Sequence, residues 1–162
     1  MRKIAAILIC ICIFYIIEQM SFSVLGKFLT PNFLLILIVF FDLSFGTRFS
    51  LLTAFTAGFL KDSFSSSAFG LNIFSFAISA LVVTIFRIYC YRKGSESSRF
   101  LLVIIAVITH VLSQYFLRLM HAKIALGDVL VYVLLPELIL TLMVSLVTIN
   151  ILRRCVSKLF AW

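Results

Sequence analysis

Six apolar runs, separated by short polar breaks, take up nearly the whole chain. They extend roughly from Ile4 to Met20, Asn32 to Gly46, Phe49 to Leu60, Phe69 to Tyr89, Phe100 to Met120 and Ile124 to Leu152. A bilayer's hydrocarbon core is about 30 Å thick, and an apolar run of roughly 20 residues crosses it as a helix that satisfies its own backbone hydrogen bonds. The pattern predicts an all-α polytopic membrane protein, a six-helix transmembrane bundle, with residues 1–162 forming a single transmembrane domain. The second and third runs together hold about 30 residues, too many for one ordinary span and too few for two full ones. They read as two short helices hinged at Gly46-Thr47-Arg48, because a glycine and a charge together break a lipid-facing helix; a re-entrant hairpin is the alternative.

Composition agrees with the pattern. With 64% hydrophobic and 12% charged residues and a mean hydropathy of +1.23, the chain cannot cover itself with polar surface in water. Met1-Arg2-Lys3 followed by an apolar run resembles a secretory signal, but no small-residue cleavage pattern follows it, so the run is expected to be the first span.

The net charge of +8 reports topology. If the N-terminus is cytoplasmic and six spans follow, the inside carries Arg2, Lys3, Arg48, Arg87, Arg92, Lys93, Arg99, Arg153, Arg154 and Lys158, whereas the outside carries Lys27, Lys61, Arg118 and Lys123. Cytoplasmic loops retain Lys and Arg, so this distribution favours both termini in the cytoplasm. The cations are spread over several short loops without interleaved polar recognition surface, which argues against a nucleic-acid partner and leaves the lipid bilayer as the surroundings.

Polar residues within the runs need a physical reason. From Arg48 to Asp62 a helix rises only about 21 Å, so at least one of these charges should sit in a protein-lined recess or a thinned part of the bilayer. Asp62 is placed to tie the corner between the third and fourth helices, with Lys61 beside it. Ser63, Ser65, Ser66 and Ser67 offer N-caps for a helix starting near Ala68, and Gly70 would permit close backbone approach there. Ala54 with Gly58, and Ser75 with Ser79, have the small-xxx-small spacing of packed membrane helices. Asp42, His110, Gln114 and Glu137 lie deeper. Glu137 follows Pro136 near mid-depth of the sixth run, where it could meet His110. The favoured reading of these four is interhelical hydrogen bonding that fixes packing; the sharper one is a proton-coupled or substrate-binding pocket.

No enzyme signature is present: no GxSxG elbow, HExxH pair, phosphate-binding glycine loop or paired carboxylates at helical spacing. Ser113 near His110 reads as packing rather than a hydrolytic pair. Cys10, Cys12, Cys90 and Cys155 form neither a CxxC pair nor a Cys/His ligand spacing, so no catalytic residue, metal or cofactor is expected.

The stretch Thr30-Pro31-Asn32-Phe33-Leu34-Leu35-Ile36-Leu37, then Arg48, then Ala57-Gly58-Phe59-Leu60-Lys61-Asp62, then Ser65-Ser66-Ser67-Ala68-Phe69-Gly70-Leu71-Asn72 resembles the rod-shape-determining membrane proteins of the MreD family. Lys61 and Asp42 depart from positions that are usually apolar in that family. The resemblance implies a non-enzymatic subunit of the bacterial cell-elongation machinery in the inner membrane. Its implied partners are an MreC-like single-span protein, MreB filaments and peptidoglycan glycosyltransferase and transpeptidase. It carries over Pro31, Asn32, Arg48, Gly58, Asp62 and Gly70 as architectural residues, with Pro31 fixing the start of the second helix. The family is also similar in helical arrangement to the substrate-binding components of energy-coupling-factor transporters, so a small-molecule transporter component is the alternative. An unrelated membrane anchor is a further one.

Overall fold

A computed structural model describes residues 2–25, 31–65, 69–90, 96–119 and 135–159. Among these, six helices follow one another: α1 (Arg2–Leu25), α2 (Phe33–Phe45), α3 (Thr47–Ser63), α4 (Leu71–Cys90), α5 (Glu96–Leu119) and α6 (Leu135–Leu159). The protein is therefore an all-α membrane protein. Three helices contain stretches long and apolar enough to cross a bilayer, Leu71–Tyr89, Ser97–Leu117 and Leu135–Leu152, while Ile7–Ser23 and Phe33–Phe45 are apolar but shorter. The sixth run was expected from Ile124, and residues 124–134 of it lie outside the described residues.

Helix α2 is the axis of the bundle. Every residue from Leu34 to Asp42 is buried, and α2 packs against all five other helices. It is apolar on every face from Leu34 to Phe41, and its surroundings here are other helices. At 13 residues it rises only about 20 Å, short of the hydrocarbon thickness.

The start of α2 is capped by Asn32, whose Oδ1 accepts from Leu35 N at 3.2 Å. Pro31 thus lies one residue outside the cap, not at the first helical position where a proline's missing N–H is free of consequence. The hinge falls at Gly46. Its φ of 91° lies in the left-handed region, which a glycine adopts without steric strain. Its N–H closes α2 by donating to Asp42 O at 3.1 Å, and its own carbonyl accepts from Phe49 and Ser50 to begin α3.

Helices α2 and α3 form an antiparallel pair. At its open end, Leu34 N and Lys61 Nζ both bind Glu18; at its tip, Asp42 meets Thr84. The open end lies beside Asn72 at the start of α4 and the tip beside Thr84 near its end, a separation of about 18 Å along α4. The pair therefore runs along most of α4 rather than turning back midway. The two ends of the bundle are called below the Asn32 end and the Gly46 end.

Candidate functional site: a polar seam at the Asn32 end

Asp62, in the last turn of α3, is 3% exposed. Its carboxylate is the cap of the next helix. Oδ2 accepts from Gly70 N at 3.0 Å and Ile73 N at 3.2 Å; Oδ1 accepts from Asn72 N at 3.1 Å and from Asn72 Nδ2 at 2.8 Å. The first N–H groups of a helix have no intrahelical partner and carry the positive end of its dipole, so an anion there is held by both hydrogen bonds and field. The cap that the sequence assigned to neighbouring serines is thus supplied from across the corner. Ser63 instead bonds back to Phe59 O within α3, and Ser66 and Ser67 lie outside the described residues.

The two corner glycines have different jobs. A Cβ on Gly58 would lie 2.6 Å from Ile73 Cα, so Gly58 is where α3 and α4 touch backbone to backbone. Gly70 has room for a Cβ, its nearest neighbours being Phe74 ring atoms at 3.8 Å, but a φ of +101°. Close approach, expected at Gly70, belongs to Gly58; Gly70 turns the chain. Ala54 and Ala57 bury the same face of α3, and Ser75 and Ser79 are buried on α4, as small residues at a tight crossing should be.

From Asp62 the seam continues into α5. Asn72 Oδ1 accepts from Gln114 Nε2 at 2.8 Å, and the same amide nitrogen is 3.2 Å from His110 Nε2. His110, 2% exposed, has Ser75 Oγ at 2.7 Å from Nδ1 and stacks on Phe76 with ring centroids 4.6 Å apart. Ser113, the serine one turn after His110 on α5, donates to Thr109 O at 2.7 Å. The hydroxyl at the imidazole nitrogen is Ser75, on another helix.

Two ties close the seam on the other side. Lys61 Nζ lies 2.6 Å from Glu18 Oε1, and Glu18 Oε2 accepts from Leu34 N at 3.3 Å, so one carboxylate joins α1, α2 and α3. Asn32 donates its backbone N–H to Thr141 Oγ1 at 3.1 Å and its Nδ2 to Glu137 Oε1 at 3.0 Å, joining α2 to α6. Glu137 stands in the first turn of α6 as described, one residue after Pro136. A carboxylate in a first turn is favoured by the helix dipole, and a proline there interrupts no helical hydrogen bond; the mid-depth position expected for Glu137 turns on residues 124–134 of the run, which lie outside the described residues. His110 and Glu137, which the sequence allowed to meet, take these bonds from different partners, Ser75 and Gln114 for one and Asn32 for the other.

The Gly46 end holds the remaining predicted residues. Asp42 is 0% exposed; its Oδ1 accepts from Thr84 Oγ1 at 2.8 Å and its Oδ2 lies 3.4 Å from Arg87 Nε. Arg87 also donates to the Asp42 backbone carbonyl, so the charge that departs from the resemblance has its own counter-ion. Arg48 is exposed, whereas Asp62 is buried; of the two charges too close to clear the hydrocarbon, Asp62 is the one in a protein-lined recess.

Glu18, Thr84 and Thr141 escaped the sequence reading. Glu18 had a visible signal, being an acid inside the first apolar run; the two threonines had none, because a threonine in a membrane helix ordinarily bonds its own backbone. Among the described residues, no group of three or more His, Cys, Asp or Glu could hold a metal ion.

Removing one partner of the Glu18–Lys61 pair should be worse than removing both. Side-chain exposure is 8% for Glu18 and 25% for Lys61. Breaking a buried pair costs about 3–5 kcal/mol, and the partial exposure of Lys61 lowers this to about 2–3 kcal/mol for Lys61→Met. The double variant Glu18→Gln/Lys61→Met should recover most of that loss, as read by thermal unfolding of the purified protein.

Six helices knitted at one end by buried charges and amides, with apolar outer faces, define an integral membrane protein whose internal polar groups join helix to helix. The chain belongs to the MreD family: the family model described as rod shape-determining protein MreD matches residues 1–159, nearly its full length. Comparison with curated proteins and with solved structures gives no match. The family ties the chain to the determination of rod shape.

Proposed function

We propose that this chain is a non-enzymatic scaffold subunit of the bacterial cell-elongation machinery, seated in the cytoplasmic (inner) membrane. It pairs with an MreC-like single-span protein and helps link MreB filaments to peptidoglycan glycosyltransferase and transpeptidase. The observation that carries this reading is family membership across residues 1–159. The seam supports it, since Glu18, Asp62 and Glu137 are each engaged with a neighbouring helix, which is the chemistry of a held shape.

The termini lie in the cytoplasm. Among the described basic side chains, Arg48, Arg87 and Arg99 gather at the Gly46 end and Lys61 alone lies at the Asn32 end, and this asymmetry supports a cytoplasmic Gly46 end, since cytoplasmic loops retain Lys and Arg. The seam then faces the extracytoplasmic side.

Brief crosslinking of cells carrying a C-terminally tagged chain, mild detergent extraction and mass spectrometry test the partner assignment. An MreC-like single-span protein with cell-wall synthases is the expected capture. A transmembrane coupling subunit with cytoplasmic ATPases would contradict the proposal and make this a transporter component.

A further inference from the structure

The hydrogen bonds from Asp62 to His110 run in one direction only, and that direction fixes where the imidazole proton sits. At its origin, the Asp62 carboxylate accepts three backbone N–H groups, from Gly70, Asn72 and Ile73, so it is an acceptor at this corner. The side-chain group of Asn72 that lies 2.8 Å from Oδ1 must then be its NH₂, which turns Asn72 Oδ1 away toward Gln114. Facing an acceptor, Gln114 must present its own NH₂. One of its two hydrogens goes to Asn72 Oδ1 and the other points at His110 Nε2 at 3.2 Å. His110 Nε2 is therefore an acceptor and carries no proton. A neutral imidazole has one N–H, so it lies on Nδ1 and is donated to Ser75 Oγ at 2.7 Å; the Ser75 hydroxyl is then free to donate to His110 O at 3.0 Å.

We propose that Asp62 holds His110 as the neutral Nδ1–H tautomer through Asn72 and Gln114, so that proton uptake at His110 and the α3–α4 cap exclude one another. A proton on Nε2 would face the Gln114 NH₂. Relieving that conflict turns the Gln114 amide, which sets two oxygens against each other at Asn72; turning Asn72 in response sets its oxygen against the Asp62 carboxylate. Each amide has only two orientations, so the conflict passes along the chain undiminished and ends at the cap.

Among the described side chains, the other charged groups at this end are Lys61 on α3, Glu18 on α1 and Glu137 on α6. Lys61 pairs with Glu18 and lies 5.5 Å from the centroid of the Phe76 ring on which His110 stacks; Glu137 takes the Asn32 amide. From α4, Asn72, Ser75 and Phe76 are uncharged, and the acid of α2, Asp42, is paired with Arg87 at the opposite end. The device is an acid-sensitive latch, neutral and closed when His110 is uncharged.

Solid-state ¹⁵N NMR of the full chain in lipid, with His110 assigned by comparison with a variant lacking the second histidine of the sequence, His121→Gln, tests this directly. In the native sequence near neutral pH, Nδ1 should be protonated and Nε2 bare. A protonated Nε2 there would overturn the proposal. On acidification, charging of His110 and faster exchange of the Ile73 amide should occur in one step, the exchange rising roughly tenfold or more as a hydrogen bond to a charged acceptor is lost; two separate steps would overturn it. In Gln114→Glu the acceptor at Nε2 should draw a proton onto that nitrogen, and a bare Nε2 in that variant, folded, would also overturn it. The tautomer of the native protein decides the matter even if Gln114→Glu fails to fold.

Discussion

Asp62→Ala should lower the stability of the purified protein by about 3–5 kcal/mol and reduce the amount of folded chain in the membrane. The carboxylate accepts from three backbone N–H groups and one side-chain amide, all at the start of α4. Alanine leaves these donors without their acceptor, and a buried unsatisfied donor costs about 1–3 kcal/mol. The sum is not simply additive, because part of the corner can hydrate: Ser65 and Phe69 beside it are exposed. Asp62→Asn keeps one acceptor oxygen and should lose about half as much, which separates the cap from the mere volume of the side chain. Thermal unfolding in detergent, together with membrane levels of each variant, measures the difference. The corner between α3 and α4 loosens with it, so on the proposed scaffold role Asp62→Ala should also lower capture of the MreC-like protein without removing any catalytic step.

Gly58→Ala is expected to be nearly as damaging, by about 3 kcal/mol, for an opposite reason: one methyl too many. An added Cβ would fall 2.6 Å from Ile73 Cα and 2.9 Å from Ile73 N, and neither is the tip of a side chain that can swing aside. The backbones of α3 and α4 must separate, opening the most extensive contact among the described helices. In an exposed helix the same change would stabilise by about 1 kcal/mol, so the sign itself is diagnostic. Gly70→Ala provides the contrast. Its Cβ would meet only ordinary contacts at 3.8 Å, and the loss should be about 1–2 kcal/mol from the left-handed backbone alone. Equal losses at the two glycines would refute the division of roles.

The sequence shows the break between α2 and α3 well, because an apolar run stops there at a glycine, Gly46. It also brings Asp62 to the corner, since a buried acid between two helix ends has few places to go. The enclosure of α2 is not legible in the same way. Leu34 to Phe41 are apolar without a break, and such a segment reads identically whether lipid or five other helices surround it. Long-range partners are hidden too. Asn32 and Glu137 are 105 residues apart, and nothing in either local sequence names the other. Gly58 and Gly70 look alike in sequence, and only the backbone separates a glycine needed for contact from one needed for its dihedral angle.

The most direct test of the account is cell shape upon depletion of this chain, scored against re-expression from a second copy. The account predicts that rods widen and round as the protein is lost, and that the native sequence restores them. Rods of unchanged width after complete depletion would contradict it.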